Sequence, residues 1–432
     1  MAAQQSPARP LNISIVGAGV GGLTAAIALR RNGHNVTIFE SSSTTNQLGA
    51  GICVQRNNLR ILDEFGFRRE NVKACDFDGV VGFDAENAGD GITRTMHDSP
   101  IDEVHDAFFC LRGDLHEELI RLALDETDSK SPPPKLLLGT KVVNCDPDAG
   151  TVDLSNGETI SADLVIGADG IHSTIRTGVL GHPFKAPASS ISCFRCLFDG
   201  RDITQIEELK WLWSGLSGGR VVAKKGNDFV SWFIYPCRSG SIINFVGYYP
   251  DSEQDSPDWS STASLSDILA TYKDFHPQFL RILDLPLYHN NNPSNSDSST
   301  SSPAAPILRW QFRAIPPLPT WTRTRTALVG DAVHATLPLM GQAGAMAMEE
   351  AATLACLLPL GTTREEVPER SKAYEALRKE RGEVVGVGSL EQGTVPERRG
   401  EYFRAREKLA SMIDFDAMKV GREYYEKHFG EG

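Results

Sequence analysis

The chain has 432 residues, which at about 100–200 residues per domain allows two or three domains, or one large fold with an insert. Its 41% apolar and 23% charged content belongs to a soluble globular protein and excludes wholesale disorder. The net charge of -13 argues against nucleic acid as a partner, because phosphate binding needs a concentrated basic surface, and against a polybasic membrane anchor.

In chain order, MAAQQSPARPLNISIVGAGV has no charged segment leading into a long apolar run, so no secretory signal is expected, and no run of about 18 uninterrupted apolar residues follows anywhere. A cytoplasmic protein without a membrane span is expected. LNISIV at 11–16 is a short apolar run ending at glycine, the pattern of a buried parallel strand. VGGLTAAIALRRN at 20–32 carries apolar residues at helical spacing, with Gly33 as a stop, and VTIFE at 36–40 is a second strand. This strand–turn–helix–strand unit opens a doubly wound α/β fold. NNLRILDEFG at 57–66 and GDLHEELIRLALDE at 113–126 are predicted helices, and SKSPPPK at 129–135 a stiff loop. The stretches LLLGTKVVNCD and TVDLSNGETISADLVIGADG predict three strands within 136–170. Asn156-Gly157 forms a hairpin turn between two of them, and the last strand returns to the parallel sheet.

Between 188 and 250, SSISCFRCLF, RVVAKKG, FVSWFIYP and SIINFVGYY predict a separate antiparallel sheet. Residues 289–306, HNNNPSNSDSSTSSPAAP, are too polar to offset their ordering entropy and are expected to form a mobile surface insert. ALVGD at 327–331 is another buried strand, followed by a helix from about 342 to 358. Beyond 363 the chain is charged and helical with breaks, the pattern of a solvated amphipathic cover or a dimer contact. The eight cysteines are too scattered for a disulfide framework. Cys193 and Cys196 lie in a strand-like segment, where residues three apart point to opposite faces. Structural thiols are therefore expected there, not a redox or zinc pair.

GAGVGG at 17–22 fits the G-x-G-x-x-G pattern. Gly17 allows the tight turn, Gly19 lets a pyrophosphate approach the backbone, and Gly22 lets the helix pack on the strand. The helix N-terminus adds amide donors, and Glu40, ending the next strand, can accept ribose hydroxyls. This unit alone leaves FAD and NAD open. Two later stretches, DLVIGADGIHSTIR at 163–176 and RTALVGDAVHATLPLMGQAGAMAMEEA at 325–351, each end an apolar strand at a small acidic turn. Asp331 is positioned for a ribityl or ribose hydroxyl. The helix N-terminus near Gln342 to Gly344 can stabilise electron density on a flavin ring through its dipole.

Together these stretches resemble the fingerprints of the class A flavin-dependent monooxygenases, the para-hydroxybenzoate hydroxylase fold. Within it they resemble the salicylate-hydroxylase-like subgroup that includes fungal polyketide hydroxylases. The resemblance runs from residue 11 to about 380. It implies an α/β fold: a Rossmann-like FAD-binding domain (1–77, 108–187 and 311–362), an antiparallel-sheet substrate domain (188–310, with an edge at 78–107), and a C-terminal helical segment (363–432). It implies that Gly17, Gly19, Gly22 and Glu40 hold the ADP part of FAD, that Asp169 and Gly170 serve FAD and NADPH, and that Gly330 and Asp331 hold the ribityl chain. Arg112 resembles the arginine that contacts FAD from a helix start, and Gly51 the glycine of a loop beside the flavin. Gly344 falls in the loop that approaches the ring. Two departures stand out: Gly341-Gln342-Ala343-Gly344 replaces the family's Gln-Gly pair, and Glu349-Glu350 replaces its frequent Glu-Asp.

The implied reaction uses NADPH, with NADH as an alternative, to reduce FAD, and O₂ to form a flavin C4a-hydroperoxide that hydroxylates a phenolic ring in secondary metabolism. The protein must then position the substrate, stabilise its anion and exclude water; no metal is required. Arg195 and Tyr235 resemble the arginine and tyrosine with which fungal dearomatising hydroxylases hold a substrate phenolate. Read from the residues alone, each is equally a strand or core residue. Trp211, Trp213 and Trp232 are candidates for cavity lining or for core, and His172 and His334 read as hydrogen-bonded packing residues. The rival readings are a halogenase or epoxidase of related fold, although SWFIYP at 231–236 does not match the halogenase pattern, and a redox-inactive FAD scaffold. A monomer or homodimer is expected.

Overall fold

The computed structural model describes residues 9–45, 50–87, 89–95, 107–127, 132–215, 217–252, 260–288 and 306–430. The polar insert expected at 289–306 lies, up to residue 305, outside them, as does the start of the loop expected at 129–135. Among the described residues no helix is long and apolar enough to cross a membrane.

Strand β1 (Asn12–Val16) leads through a glycine turn into α1 (Val20–Arg31) and back to β2 (Asn35–Phe39), parallel to β1. The chain then forms β3 (Gly51–Val54) and α2 (Arg56–Glu64), and later β4 (Phe108–Leu111), which continues directly into α3 (Arg112–Leu124). Strands β5 (Lys135–Leu137) and β6 (Leu164–Gly167) return to the first sheet, and α4 (Thr174–Leu180) follows. A second sheet is built on β7 (Ala188–Asp199), β8 (Ser231–Cys237), β9 (Ile242–Pro250) and β10 (Leu308–Arg313). Strand β11 (Thr326–Leu328) re-enters the first sheet before α5 (Ala343–Cys356) and the long α6 (Val367–Thr394).

The first sheet has the order Thr322–Arg323, β11, β6, β1, β2, β5, parallel except at the edge hairpin. Its central strands are covered on both faces, which explains their near-continuous apolar sequences. Helix α1 is buried along almost its whole length between this sheet and α5. A Cβ at Gly21 would lie 3.2 Å from the Ala347 Cβ, and one at Gly330 3.0 Å from the same atom. Small residues thus bring α1, the end of β11 and α5 into close contact.

The second sheet is mixed: Gly218–Ala223 pairs in parallel with Gly79–Asp84, where a wholly antiparallel sheet was expected. The long excursion through β4 to β7 supplies the crossover that a parallel pair needs. Its central register sets two faces. Arg195, Val246 and Phe233 form one cross-strand row, with Leu197, Asn244 and Tyr235 beside it. One residue along, Phe194, Gly247 and Trp232 point the other way, as do Cys196, Phe245 and Ile234.

The 136–170 region holds five strands, not three, because turns at Gly139 and Gly150 and the step at Ala162 divide it; Asn156-Gly157 does form a turn, with Gly157 at φ +91. The charged C-terminal segment is not merely a solvated cover. Helix α6 buries Arg378 against Glu349 of α5, its Tyr374 hydroxyl donates to the Leu328 carbonyl of β11 at 2.7 Å, and its Arg370 guanidinium lies 3.6 Å from the Phe429 ring centroid. Cys193 and Cys196 point to opposite faces as expected, and all eight cysteines are free thiols.

The face opposite Arg195 forms a hydrophobic core in which Trp232 packs on Phe245, Tyr272 and Phe275. Trp232→Ala is expected to lower unfolding stability by about 3–5 kcal/mol in urea titrations. An unchanged midpoint would contradict this assignment of faces.

Candidate active site

A cleft of about 710 Å³ runs between the C-terminal ends of the parallel strands and the Arg195 face of the second sheet. Gly17, Gly19, Glu40, Gly51, Arg112, Asp169, Gly330, Asp331 and Gly344 line it, together with Arg195 and Tyr235. Among the residues singled out in the sequence, Gly22 lies behind the wall, where its role is packing. A Cβ there would meet the Gly17 carbonyl oxygen at 2.0 Å.

At one end, Gly17 takes φ +101, and a Cβ on it would lie 2.3 Å from the Ala168 carbonyl oxygen. Gly19 has open space beside it and no atom within 4 Å of its Cβ position. Helix α1 starts at Gly19 with no side-chain cap and no acid in its first turn. Its amide donors and positive dipole end are therefore unanswered by the protein. The Glu40 carboxylate accepts from the backbone N–H of Ala18 and of Ser42, both at 2.8 Å, and ties the glycine turn to the end of β2. His116, which sequence reasoning passed over, pins the same turn through the Ala18 carbonyl at 2.6 Å. Thr140, Lys141 and Val142 close this end of the cleft.

Asp331 is exposed to the cleft at the start of the turn Asp331–His334. Burial draws the Arg112 guanidinium below its ordinary value, opposed by the Asp331 carboxylate. The Asp169 carboxylate is committed to α4: it accepts from Ser173 Oγ at 2.5 Å and from the N–H groups of Thr174 and Ile175 at 2.7 and 3.1 Å. Burial raises its pKa in spite of these donors. Helix α5 is a second helix whose N-terminus carries no side-chain cap and no acid in the first turn. Its first residues, Ala343 and Gly344, line the cleft, and a Cβ on Gly344 would approach Ile52 Cδ1 at 3.2 Å.

On the facing sheet, Arg195 lies with its guanidinium 4.6 Å from the centroid of Trp310, and its Nε is buried without a hydrogen-bond partner. The Tyr235 ring stacks on Phe109, centroids 4.1 Å apart, and presses on the Gly51 loop. A Cβ at Gly51 would lie 2.4 Å from Tyr235 Cε2. The Gly51 N–H donates to Asn244 Oδ1 at 2.8 Å, joining this loop to the sheet. Burial pushes the Tyr235 and Tyr248 hydroxyls well up, so both remain protonated donors. Phe233, Val246 and Phe312 complete an apolar wall. Of the three candidate tryptophans, Trp211 and Trp232 belong to the core behind the sheet, and Trp213 lines a separate cavity of about 520 Å³. The sheet's alternation keeps Trp232 out of the cleft.

His172 lines the cleft, whereas His334 lies beneath it, its Nε2 2.5 Å from Glu350 Oε1. The other Glu350 oxygen accepts the Gly330 N–H at 2.7 Å, so this pair holds the turn that carries Asp331. Two open helix N-termini, a glycine turn closed to side chains at Gly17 and Gly22 and open at Gly19, and a carboxylate beyond each helix end fit a dinucleotide with a pyrophosphate and an electron-accepting ring.

Comparisons with known proteins agree. Residues 11–274 match the family described as FAD binding domain. The chain is 40% identical over 431 residues to hispidin-3-hydroxylase of Neonothopanus nambi, covering 96% of this chain and 95% of that protein. It is 30% identical over 394 residues to the FAD-dependent monooxygenase cfoG of Aspergillus candidus, covering 87% and 84% of the two chains. The solved salicylate hydroxylase substrate complex shares the fold, with a TM-score of 0.71 at 23% identity over 96% of this chain and 97% of that one.

Burial would lower the His334 pKa, but the Glu350 carboxylate outweighs it and raises the imidazole above its ordinary 6.5. The ion pair therefore stabilises fully below about pH 6.5 and is lost as pH climbs through the raised value. Denaturant titrations from about pH 6 to about pH 9 should show stability falling, and His334→Gln should flatten that slope. Equal slopes in both proteins would contradict the pairing.

Proposed function

The chain belongs to the FAD binding domain family and is an FAD-dependent aromatic monooxygenase, and from that premise we propose a site, a cosubstrate and a substrate chemistry. The substrate is a phenol bound as its anion over the Arg195 face of the second sheet, and NADPH or NADH supplies the electrons. The proposed balance is substrate–H, O₂, NAD(P)H and a proton going to substrate–OH, water and NAD(P)⁺. FAD, when bound, would supply the redox chemistry that connects the NAD(P)H electrons to O₂.

The remaining roles belong to the chain. The α1 N-terminus with Gly17 and Gly19 receives the pyrophosphate, Glu40 a ribose, and Asp331 with Arg112 the ribityl region. The α5 N-terminus faces the ring, where its dipole favours negative charge. Arg195 pairs with the phenolate oxygen; a guanidinium stays charged and cannot protonate it. Tyr235, held protonated by burial, donates a second hydrogen bond. Phe233, Val246 and Phe312 keep water from the reacting atoms.

The observation that carries this reading is that Arg195 and Tyr235 project from one sheet face into the cleft that both uncapped helix N-termini enter. The free cysteines support a cytoplasmic setting. The 40% identical relative is named for hydroxylating hispidin, so hispidin is the first compound to offer.

Arg195→Met should retain FAD and still consume NADPH, yet lose about 10- to 100-fold in hydroxylated product, as expected for removing a charged hydrogen-bond partner. Product mass, showing the gain of one oxygen, against NADPH consumed is the measurement. Undiminished coupling would remove Arg195 from the site. Asp331→Ala should purify largely colourless, and full flavin retention would count against its role.

A further inference from the structure

Beneath the floor of the cleft lies a run of buried polar side chains that the reaction as described does not use. Glu349, on α5, is fully buried and faces two cations of α6: Arg378 Nη2 at 2.5 Å and Arg381 Nε at 2.8 Å. Its Oε1 also accepts from Asn57 Nδ2, on α2, at 2.6 Å. The same Asn57 nitrogen donates to Gln342 Oε1 at 2.9 Å, and Gln342 Nε2 donates to Gln55 Oε1. Asn57, Gln342 and Gln55 are each at most 3% exposed.

A carboxylate only accepts hydrogen bonds, so it dictates which way each amide in this run is turned. Asn57 must direct its NH₂ at Glu349, and its second hydrogen then faces the Gln342 oxygen. Its own Oδ1 is left buried without a partner, which marks the orientation as imposed by the charge. The Gln342 NH₂ must turn to the Gln55 oxygen, and the Gln55 NH₂ is left at the far end. There it lies 3.1 Å from the Cβ position of Gly341. Cys53 and Gly341 both line the cleft beside the α5 N-terminus, whose cap residue is Gln342. The Gln342 and Gln55 amides both turn their NH₂ ends toward Gly341, and with the net positive charge of Glu349 and its two arginines they act in the same sense on whatever the helix end faces.

We propose that Glu349, Asn57, Gln342 and Gln55 form a positioning relay that fixes hydrogen-bond donors beneath the flavin ring and raises the electron affinity of the bound flavin. This rests on the reading of the cleft as the FAD site with its ring at the α5 N-terminus. None of the four touches substrate; they act through the donors they orient.

Asn57→Leu and Gln55→Met each cut the run while leaving Glu349 with both arginines. Each FAD-loaded variant is reduced anaerobically beside a reference dye of known potential, and the melting temperature of the FAD-free protein is recorded alongside. The expected result is a roughly ten-fold fall in the equilibrium constant for two-electron reduction, about 30 mV, in each variant. The double variant should shift no further than the larger single one, because one run is cut twice. A purely structural role would lower the melting temperature without moving the reduction equilibrium. FAD-bound variants within about two-fold of the unaltered protein, or shifts that add, would overturn the relay and leave the reading of the cleft standing. An unaltered protein that holds no FAD would overturn that reading itself. Should Asn57→Leu fail to fold, Gln55→Met, at the end of the run, decides alone.

Discussion

Two helices end, unanswered, in the same space. Neither α1 nor α5 caps its N-terminal amides with a side chain, and neither carries an acid in its first turn. Helix ends buried in this way need partners, and the partner must be anionic or electron-rich. What brings the two ends together is the absence of side chains where α1, the end of β11 and α5 meet: Gly21 and Gly330 against the Ala347 methyl. A bulkier residue at any of these points would separate the dipoles, and with them the two halves of the site. The Glu350 carboxylate reinforces this meeting point by holding the Gly330 N–H and His334 together.

The second sheet answers a different demand. It is buried on both faces, but by different things. One face packs a core of Trp232, Phe245 and Tyr272, and the other presents Arg195, Tyr235 and Tyr248 to the cleft. A one-residue slip in register would exchange these faces. The sheet is thus both a scaffold, stabilised from behind, and a substrate wall. The Asn244 bond to the Gly51 loop ties it to the flavin side.

Much of this was legible in the residues. The glycine turn with Glu40, the strand ends at Asp169 and Asp331, and the α5 helix follow from patterns whose chemistry is local. Arg195 and Tyr235 could be named but not placed together, because their meeting depends on a register set by strands far apart in sequence. Alternation along SWFIYP already separates Trp232 from Phe233 and Tyr235, so the exclusion of that tryptophan was readable once one residue was placed. The acidic turn did not report that the Asp169 oxygens accept from Ser173, Thr174 and Ile175 at the α4 N-terminus. The burial of Arg378 and Glu349 was not readable at all. A charged helix that pairs its charges inward has the same composition as one that solvates them, and only the α5–α6 packing distinguishes the two. His116 stayed hidden because its partner is a backbone carbonyl, which no side-chain motif reports.

The central claim is that flavin and substrate share one cleft between the parallel strand ends and the Arg195 face. Titrating hispidin or a related phenol into the FAD-loaded protein, under air-free conditions and without NADPH, tests it most directly. A shared cleft predicts a saturable change in the visible flavin spectrum, strongly weakened in Arg195→Met at equal flavin occupancy. Tight binding of the phenol, seen by calorimetry, with no change in the flavin spectrum would contradict it.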